Sequence, residues 1–335
     1  MSPCRRLPVW ATLLALLLAA SPAAAEVSQL NVPIGAGGFG FLPLILMQKH
    51  RLVEKRATEA GLPLTVNWSN IGGPSAMNDA LLSGSAHFIS AGPPAFLTLW
   101  DRTKGGVRGV AAISSMPMYL NTRTDRLKSV DDLREGDKIG VTAVKVSIPA
   151  IIMQMYARKT GGAADTFRFD PFTVSMAHPD AVIALLSGNG SIVAHYASAP
   201  FHQRELNTPG TRTIMNSDDV MGGSTTFTMV SATTRFHDEN PKAYAAFLAA
   251  LKDAQAMIAA DPRGAAEALL QSMGGKGITT EALMTILKDP VTKYTVVPEN
   301  VLTYAHFMHE IGTMKSDPAS LDALFFPDSA VLTGN

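Results

Sequence analysis

A five-residue phrase occurs twice in this chain and constrains its fold more than any other feature. Ala80-Leu81-Leu82-Ser83-Gly84 returns as Ala184-Leu185-Leu186-Ser187-Gly188, and its surroundings return with it. Each copy closes an apolar helical stretch and leads into a short apolar strand, residues 86–90 and 191–194. Each strand then reaches a small-residue turn with proline and phenylalanine: Ala91-Gly92-Pro93-Pro94-Ala95-Phe96 in one case, Ala197-Ser198-Ala199-Pro200-Phe201 in the other. A spacing of about a hundred residues is too long for a solenoid unit of roughly 20–50 residues. It fits two similar α/β lobes that face one another across a cleft lined by equivalent loops.

The first 25 residues read as a secretory leader. Arg5 and Arg6 give a basic start, residues 9–20 are apolar, and Ala23-Ala24-Ala25 supplies small residues for cleavage after Ala25. The apolar run is shorter than the about 20 residues of a membrane span. Leu7-Pro8 after the paired arginines is a poor match to a twin-arginine signal, so ordinary secretion to the periplasm is expected. The only cysteine, Cys4, precedes the apolar run, where it cannot become a lipid anchor at the cleavage point. Disulfides, thiolate metal sites and cysteine nucleophiles are thereby excluded from the mature chain. The 28 basic and 28 acidic residues are scattered, with no basic stripe for nucleic acid.

The mature chain alternates strand and helix, which argues a mainly parallel sheet covered on both faces. Strands are expected at residues 30–34, 64–68, 86–90 and 107–113, with helices at 43–60, 75–82 and 94–101 between them. The second lobe repeats the pattern: strands at 138–142, 166–169, 191–194 and 211–215, with helices at 147–159, 179–186 and 199–205. After a strand at 225–231 the chain is almost wholly helical. There Tyr244, Phe247, Leu248, Leu251, Ala254 and Ile258 recur at helical spacing and define a core-facing stripe. Crossings near residues 116–122 and 222–226 make the first lobe discontinuous: 26–118 with 224–335, around a second lobe at 119–223. Two crossings act as a hinge.

Gly35, Gly37 and Gly40 spell G-x-G-x-x-G between a strand and a helix, the local setting of a dinucleotide fingerprint. The second strand, however, ends in Trp68-Ser69-Asn70, with no acid for a ribose. The glycines instead let backbone N–H groups approach a small ligand. Three helix starts, at Gly72-Gly73-Pro74-Ser75, Gly92-Pro93-Pro94 and Ser147-Ile148-Pro149, offer free N–H groups and a positive dipole end to an anion. Ser75 and Ser147 are N-caps or ligand donors, two readings that stand level for each serine alone. Lys145 sits in the turn before Ser147, where a ligand's charge would be met. His195 and Tyr196 end the repeated strand; His195 is equally a satisfied buried ring or a cleft-facing hydrogen-bond group. No metal is expected: His306 and His309 are three apart on a late helix, without H-E-x-x-H spacing. No G-x-S-x-G nucleophile turn is present either, and no catalytic residue is assigned.

The leader, the strand–glycine loop–proline-started helix, and Gly72-Gly73-Pro74-Ser75-Ala76 running on to Ala80-Leu81-Leu82-Ser83-Gly84 resemble the periplasmic solute-binding proteins of the nitrate, sulfonate and taurine transporter family. So do Pro179-Asp180-Ala181 with the second phrase, the Ala199-Pro200-Phe201 turn, residues 240–248 and Asp261-Pro262. The resemblance implies a type II periplasmic-binding clamshell, a monomer without cofactor or enzymatic activity, serving an ABC permease and its ATPase. By family position its small-molecule ligand would meet Gly38, Phe39, Ser75, Ala91, Gly92, Lys145, Val146, Ser147, His195 and Tyr196. The acidic residue common in the family after each phrase is replaced here by Ser85, Ala86 and His87, and by residues 189–191.

The expected ligand is a small anion, a sulfonate, nitrate-like ion or carboxylate, held by backbone amides, Ser75, Ser147 and Lys145, with Phe39 and Tyr196 covering an apolar tail. Alternatives are a pyrimidine-type thiamine precursor, as in relatives of the same fold, or a sensory subunit for a membrane kinase. Enzymes of that thiamine-pyrimidine group carry a cysteine-rich motif that a chain with Cys4 alone cannot supply.

Overall fold

The computed structural model describes residues 25–329 apart from 36, 189 and 276; the expected leader, Ala25 excepted, and Cys4 lie outside the described residues. The chain opens with β1 (Gln29–Ile34), α1 (Leu42–His50), α2 (Leu52–Glu59), β2 (Thr65–Asn70), α3 (Pro74–Leu82), β3 (Phe88–Ala91), α4 (Pro93–Thr103) and β4 (Val107–Ser115). There follow β5 (Tyr119–Thr122), β6 (Ile139–Val141), α5 (Ile148–Gly161), β7 (Thr173–Ser175), α6 (His178–Ser187), β8 (Ala194–Ala197), α7 (Phe201–Leu206), β9 (Arg212–Asn216) and α8 (Ser217–Met221). It closes with β10 (Thr226–Thr233), α9 (Thr234–Glu239), α10 (Pro241–Ala260), α11 (Pro262–Ser272), α12 (Thr280–Lys288) and α13 (Val301–Glu310).

The strands form sheets of two, three and five strands, and the first two, lying side by side, together match the order of the third. In the first lobe β1 and β2 pair in parallel as one sheet, and in a second β10 runs antiparallel between β3 and β4. β1 lies beside β3, the His87 N–H donating to Asn31 O at 2.9 Å and the Asn31 N–H to His87 Nδ1 at 3.0 Å. The sheet of the other lobe has the order β7-β6-β8-β5-β9, with β5 antiparallel to both its neighbours. β6, β7, β8, β9 and β5 thus take the places of β1, β2, β3, β4 and β10. The repeated phrase ends α3 and α6, the helices that feed β3 and β8, so the sequence repeat marks the same place in two lobes.

Each lobe is mixed rather than mainly parallel, because the strand that carries the chain across the cleft inserts antiparallel between two others. β5, the crossing strand, stood out in the sequence only as a place where the chain changes lobes. Met118 and Ser217 lace the two crossings together: the Ser217 N–H donates to Met118 O at 2.9 Å, and the Met118 N–H to Ser217 Oγ at 2.9 Å.

Three expected elements differ, one of them the strand expected at 191–194, which begins only at its last residue as β8 (Ala194–Ala197). The helix expected over 43–60 is broken at Arg51, which adopts the left-handed conformation (φ 52°). α1 is buried on nearly every side, whereas α2 buries only Leu52, Val53 and Ala57; the break allows each its own packing. The strand expected at 166–169 is irregular, its place at the sheet edge taken by β7. Thr166 turns its hydroxyl to Ala163 O (2.9 Å) at the end of a 3-10 turn, and Pro171 has no N–H for a ladder. The stripe on α10 is as expected: Tyr244, Phe247, Leu248, Leu251, Ala254 and Ile258 are all buried.

Candidate functional site

Several helix starts meet between the lobes. A cavity of about 90 Å³ lies there, and the N-cap residues of five helices line it: Phe41 of α1, Gly73 of α3, Gly92 of α4, Ser147 of α5 and Ala177 of α6. Every one of these helices carries proline in its first two positions, where the missing N–H costs no helical bond. None has a side-chain cap, and only α6, with Asp180, has an acid in its first turn. Elsewhere α2, α7, α10 and α13 also lack a cap from their N-cap residue, but the Lys242 and Ala243 N–H groups of α10 donate to the Glu26 carboxylate. α8, α9, α11 and α12 are capped by the side chains of Asn216, Thr233, Asp261 and Thr279. The first N–H groups of α1 are taken by a preceding 3-10 turn, Phe41 donating to Gly38 O and Leu42 to Phe39 O; the other four starts have no side-chain cap and leave positive dipole ends at the cavity, the arrangement that binds an anion.

Among the described residues no Asp, Glu, Lys or Arg lines the cavity, and His178 is the one ionisable side chain that does. The apolar wall comes from Phe41, Met77, Met118, Ile148 and Phe227. Ser90, on β3, is 3% exposed and its hydroxyl has no hydrogen-bond partner among the described residues. A buried unpaired hydroxyl costs about 1–3 kcal/mol. Ser90→Ala is accordingly expected to hold or raise the unfolding free energy of the unliganded protein, and to weaken binding of the cognate ligand several-fold. Denaturant titration and calorimetry check the two halves. A stability loss above about 1 kcal/mol would mean that the hydroxyl is already bonded.

The lobes are closed around this cavity. Gly73 has φ 99°, and a Cβ there would lie 3.2 Å from the Thr142 carbonyl oxygen on the opposite lobe. The Phe39 N–H donates to Ala199 O at 3.2 Å, and Arg158 pairs with Glu310. A second hollow of about 590 Å³ shares Gly35, Gly37 and Gly72 with the cavity, and Arg204 is the one charged residue in its wall among the described residues.

The expected contacts fall into two groups. Ala91, Gly92, Val146 and Ser147 line the cavity, as do Gly35 and Gly37 of the glycine loop. Gly38, Phe39, Ser75, Lys145, His195 and Tyr196 do not line it. Phe39 and Tyr196 are fully buried in the core and cover nothing in the cleft. β8 is covered on both faces of its sheet, so its alternating side chains are all inside, His195 on one face and Tyr196 on the other. Ser75 is exposed in the first turn of α3, whose N-cap is Gly73. Ser147 does occupy an N-cap, but its hydroxyl donates back to Ala143 O at 2.6 Å. Lys145 is exposed at the centre of a γ-turn, φ 66°, closed by the Val146 N–H on Val144 O at 2.9 Å.

His178, which the sequence reading passed over, heads a buried polar chain. Its Nδ1 lies 2.9 Å from His195 Nε2, and His195 Nδ1 lies 2.5 Å from Glu205 Oε1. Glu205 Oε2 accepts from Asn121 Nδ2 at 2.7 Å, and Asn121 Oδ1 accepts from the Thr213 hydroxyl at 2.8 Å. Burial pushes the Glu205 carboxyl up to about 8, and the His195 ring down to about 3. His178 is lowered well below the usual range by burial and by His195; His202, beside Asn121, falls to about 4 by burial. The only hint in the sequence was a histidine directly before the proline of a helix start. His306 is paired with Asp317 at 2.5 Å, and no group of three metal-ligating side chains occurs among the described residues.

The fold is that of the periplasmic binding proteins, two α/β lobes closing on a cleft. Three solved structures show the likeness. The alkanesulfonate-binding protein SsuA of Xanthomonas axonopodis pv. citri, bound to MOPS, superposes with a TM-score of 0.70 at 17% identity, over 90% of this chain and 99% of its own. The aliphatic sulphonate binding protein SsuA of Escherichia coli gives 0.64 at 18%, over 90% and 92%. The periplasmic nitrate-binding protein NrtA of Synechocystis PCC 6803 gives 0.63 at 15%, over 89% and 84%. No protein-family model matches the chain, and no curated protein matches it in sequence.

Proposed function

We propose that this chain is a periplasmic solute receptor, without catalytic activity, that captures a small monovalent anion in the interlobe cavity and delivers it to an ABC permease with its ATPase. The observation that carries this reading is the convergence of four helix N-termini without side-chain caps on a cavity that no acidic side chain lines among the described residues. Such a lining solvates an anion with fixed dipoles and rejects cations. The ligand is a sulfonate, nitrate-like ion or carboxylate, met by Ser90, Gly92, Ser147 and His178, with any apolar tail against Phe41 and Phe227. Arg204, at the wall of the outer hollow, draws the anion inward. The likeness to sulfonate- and nitrate-binding proteins supports the same class. The lobes are 26–118 with 224–335, and 119–223; the leader is removed after Ala25, and the receptor acts as a monomer.

The test is a thermal-shift screen of residues 26–335, refolded from denaturant to remove carried ligand, against nitrate, sulfate, taurine, alkyl and aryl sulfonates, aromatic carboxylates and hydroxymethylpyrimidine. A ligand at a hundred times its dissociation constant adds about 2.7 kcal/mol of stability. Stabilisation by one anion class is the expected result. Stabilisation by the pyrimidine alone would overturn the anion reading and assign the aromatic walls to a neutral ring.

A further inference from the structure

The inner cavity, about 90 Å³, is smaller than the about 300–1,000 Å³ of an organic ligand's site, whereas the outer hollow, about 590 Å³, falls within that range. The two share Gly35, Gly37 and Gly72. A Cβ at Gly37 or Gly72 would meet no atom within 4 Å, so the space beside the shared glycines is open. We propose that the outer hollow is a second subsite for the same molecule, and that the ligand is an organic anion charged at both ends, with one oxyanion head in the inner cavity and a carboxylate held by Arg204. This rests on the anion-receptor reading. The inner cavity still takes one monovalent head, and the molecule that carries it bears a second charged group.

Arg204 points to that second group. Its side chain is half-buried and has neither a hydrogen bond nor an ion pair among the described residues. The guanidinium packs against the backbone of Gly277, where a Cβ would stand 2.8 Å from Cζ and 2.9 Å from Nε and Nη2. Gly277, at φ 83°, keeps that place clear. The adjacent acid, Glu205, is turned into the core, its two oxygens taken by His195 and Asn121. The cation is therefore positioned by packing, and no acid among the described residues pairs with it. A charge that only steered anions would need no fixed place. A guanidinium fixed at a wall with donors to spare suits a carboxylate, because its fork matches the two oxygens of that group.

The rest of the hollow fits such a molecule. Phe201 and Arg204 come from α7 of one lobe, while Gln48 of α1 and Trp68 and Asn70 of β2 come from the other. Trp68 and Phe201 offer apolar surface to a linker. The side-chain amides of Gln48 and Asn70 have no hydrogen bond among the described residues and can add donors beside Arg204. Because its walls come from both lobes, the hollow is complete only when they are together, and a ligand that fills both subsites bridges them.

The test is calorimetry of residues 26–335, refolded as above, with matched pairs that differ by a methyl or a carboxylate at one end. Ethane-, propane-, butane- and toluene-4-sulfonate are compared with sulfoacetate, 3-sulfopropanoate, 4-sulfobutanoate and 4-sulfobenzoate. Butanoate, pentanoate and hexanoate are compared with succinate, glutarate and adipate. At the length that spans the subsites, the two-headed member should bind about 10–100-fold more tightly than its partner, the worth of hydrogen bonds to a charged group. Stopped-flow kinetics should place the gain in slower dissociation. Arg204→Met should abolish it, and Arg204→Lys, which keeps the charge and loses the fork, should keep only a small part. A gain of equal size at every length, confined to the association rate, would assign Arg204 to steering and overturn the subsite. A gain that survives Arg204→Met would overturn it as well. Binding of one-headed anions with no two-headed advantage in the unmodified protein overturns the subsite alone and needs no variant. Silence from every member of both series overturns the anion-receptor reading, and the second subsite with it.

Discussion

Gly73→Ala is expected to weaken binding of the cognate anion by about 10–100-fold, about 1.4 kcal/mol for each factor of ten. Gly73 is the N-cap of α3 with φ 99° and ψ 149°, a conformation nearly restricted to glycine that costs another residue about 1–3 kcal/mol. The added methyl would also stand 3.2 Å from the Thr142 carbonyl oxygen, across the cleft. In an open receptor the loop is free to relax away from both problems. Closure restores them, so the penalty falls on the liganded state. Titration calorimetry measures the affinity, and small-angle scattering of the liganded protein should show incomplete contraction. Unchanged affinity with full contraction would mean that the Gly73–Thr142 approach does not limit closure.

Phe88→Ala should be the most destabilising of the substitutions considered, by about 3–5 kcal/mol. Phe88 is fully buried on β3, stacked on Phe247 of α10 at 4.0 Å between centroids and meeting Phe236 edge-on at 5.1 Å. It holds the strand next to the cavity under a helix that arrives more than a hundred residues later, after the chain has built the other sheet. Losing it leaves a ring-sized void and loosens the return segment. Guanidinium unfolding followed by far-UV circular dichroism gives the number. Phe167→Ala, at a residue 45% exposed, is the comparison and should stay within about 0.5 kcal/mol. A loss below 1 kcal/mol for Phe88→Ala would contradict the packing described.

Local chemistry was legible where it is written in adjacent residues. Proline behind a small residue announced α3, α4 and α5, and three of those starts do meet at the cavity through Gly73, Gly92 and Ser147. The apolar stripe of α10 gave its buried face, and the repeated phrase gave the equivalence of the two lobes. Reading failed where a side chain's surroundings come from distant parts of the chain. Phe39 and Tyr196 are aromatic residues beside the glycine loop and the second turn, as ligand covers would be, yet both are enclosed by the core. Lys145 is the cation nearest the cleft in sequence and points to solvent. The middle strands β5 and β10 were equally hidden in part, since nothing local tells a strand that it will be inserted antiparallel between two others.

Sequence alone determined the two-lobe plan and the order of most elements, and pointed to backbone amides, hydroxyls and scattered charge as the chemistry available. These follow from periodicity and helix-start residues, which act over a few neighbours. Only the tertiary structure decided which helix starts converge, that Ser90 stands unpaired at their meeting point, and that His178, His195 and Glu205 connect into one chain. Hydrogen bonds and dipoles act over a few ångströms of space, and the residues that share that space are brought together by the crossing strands and by closure of the lobes.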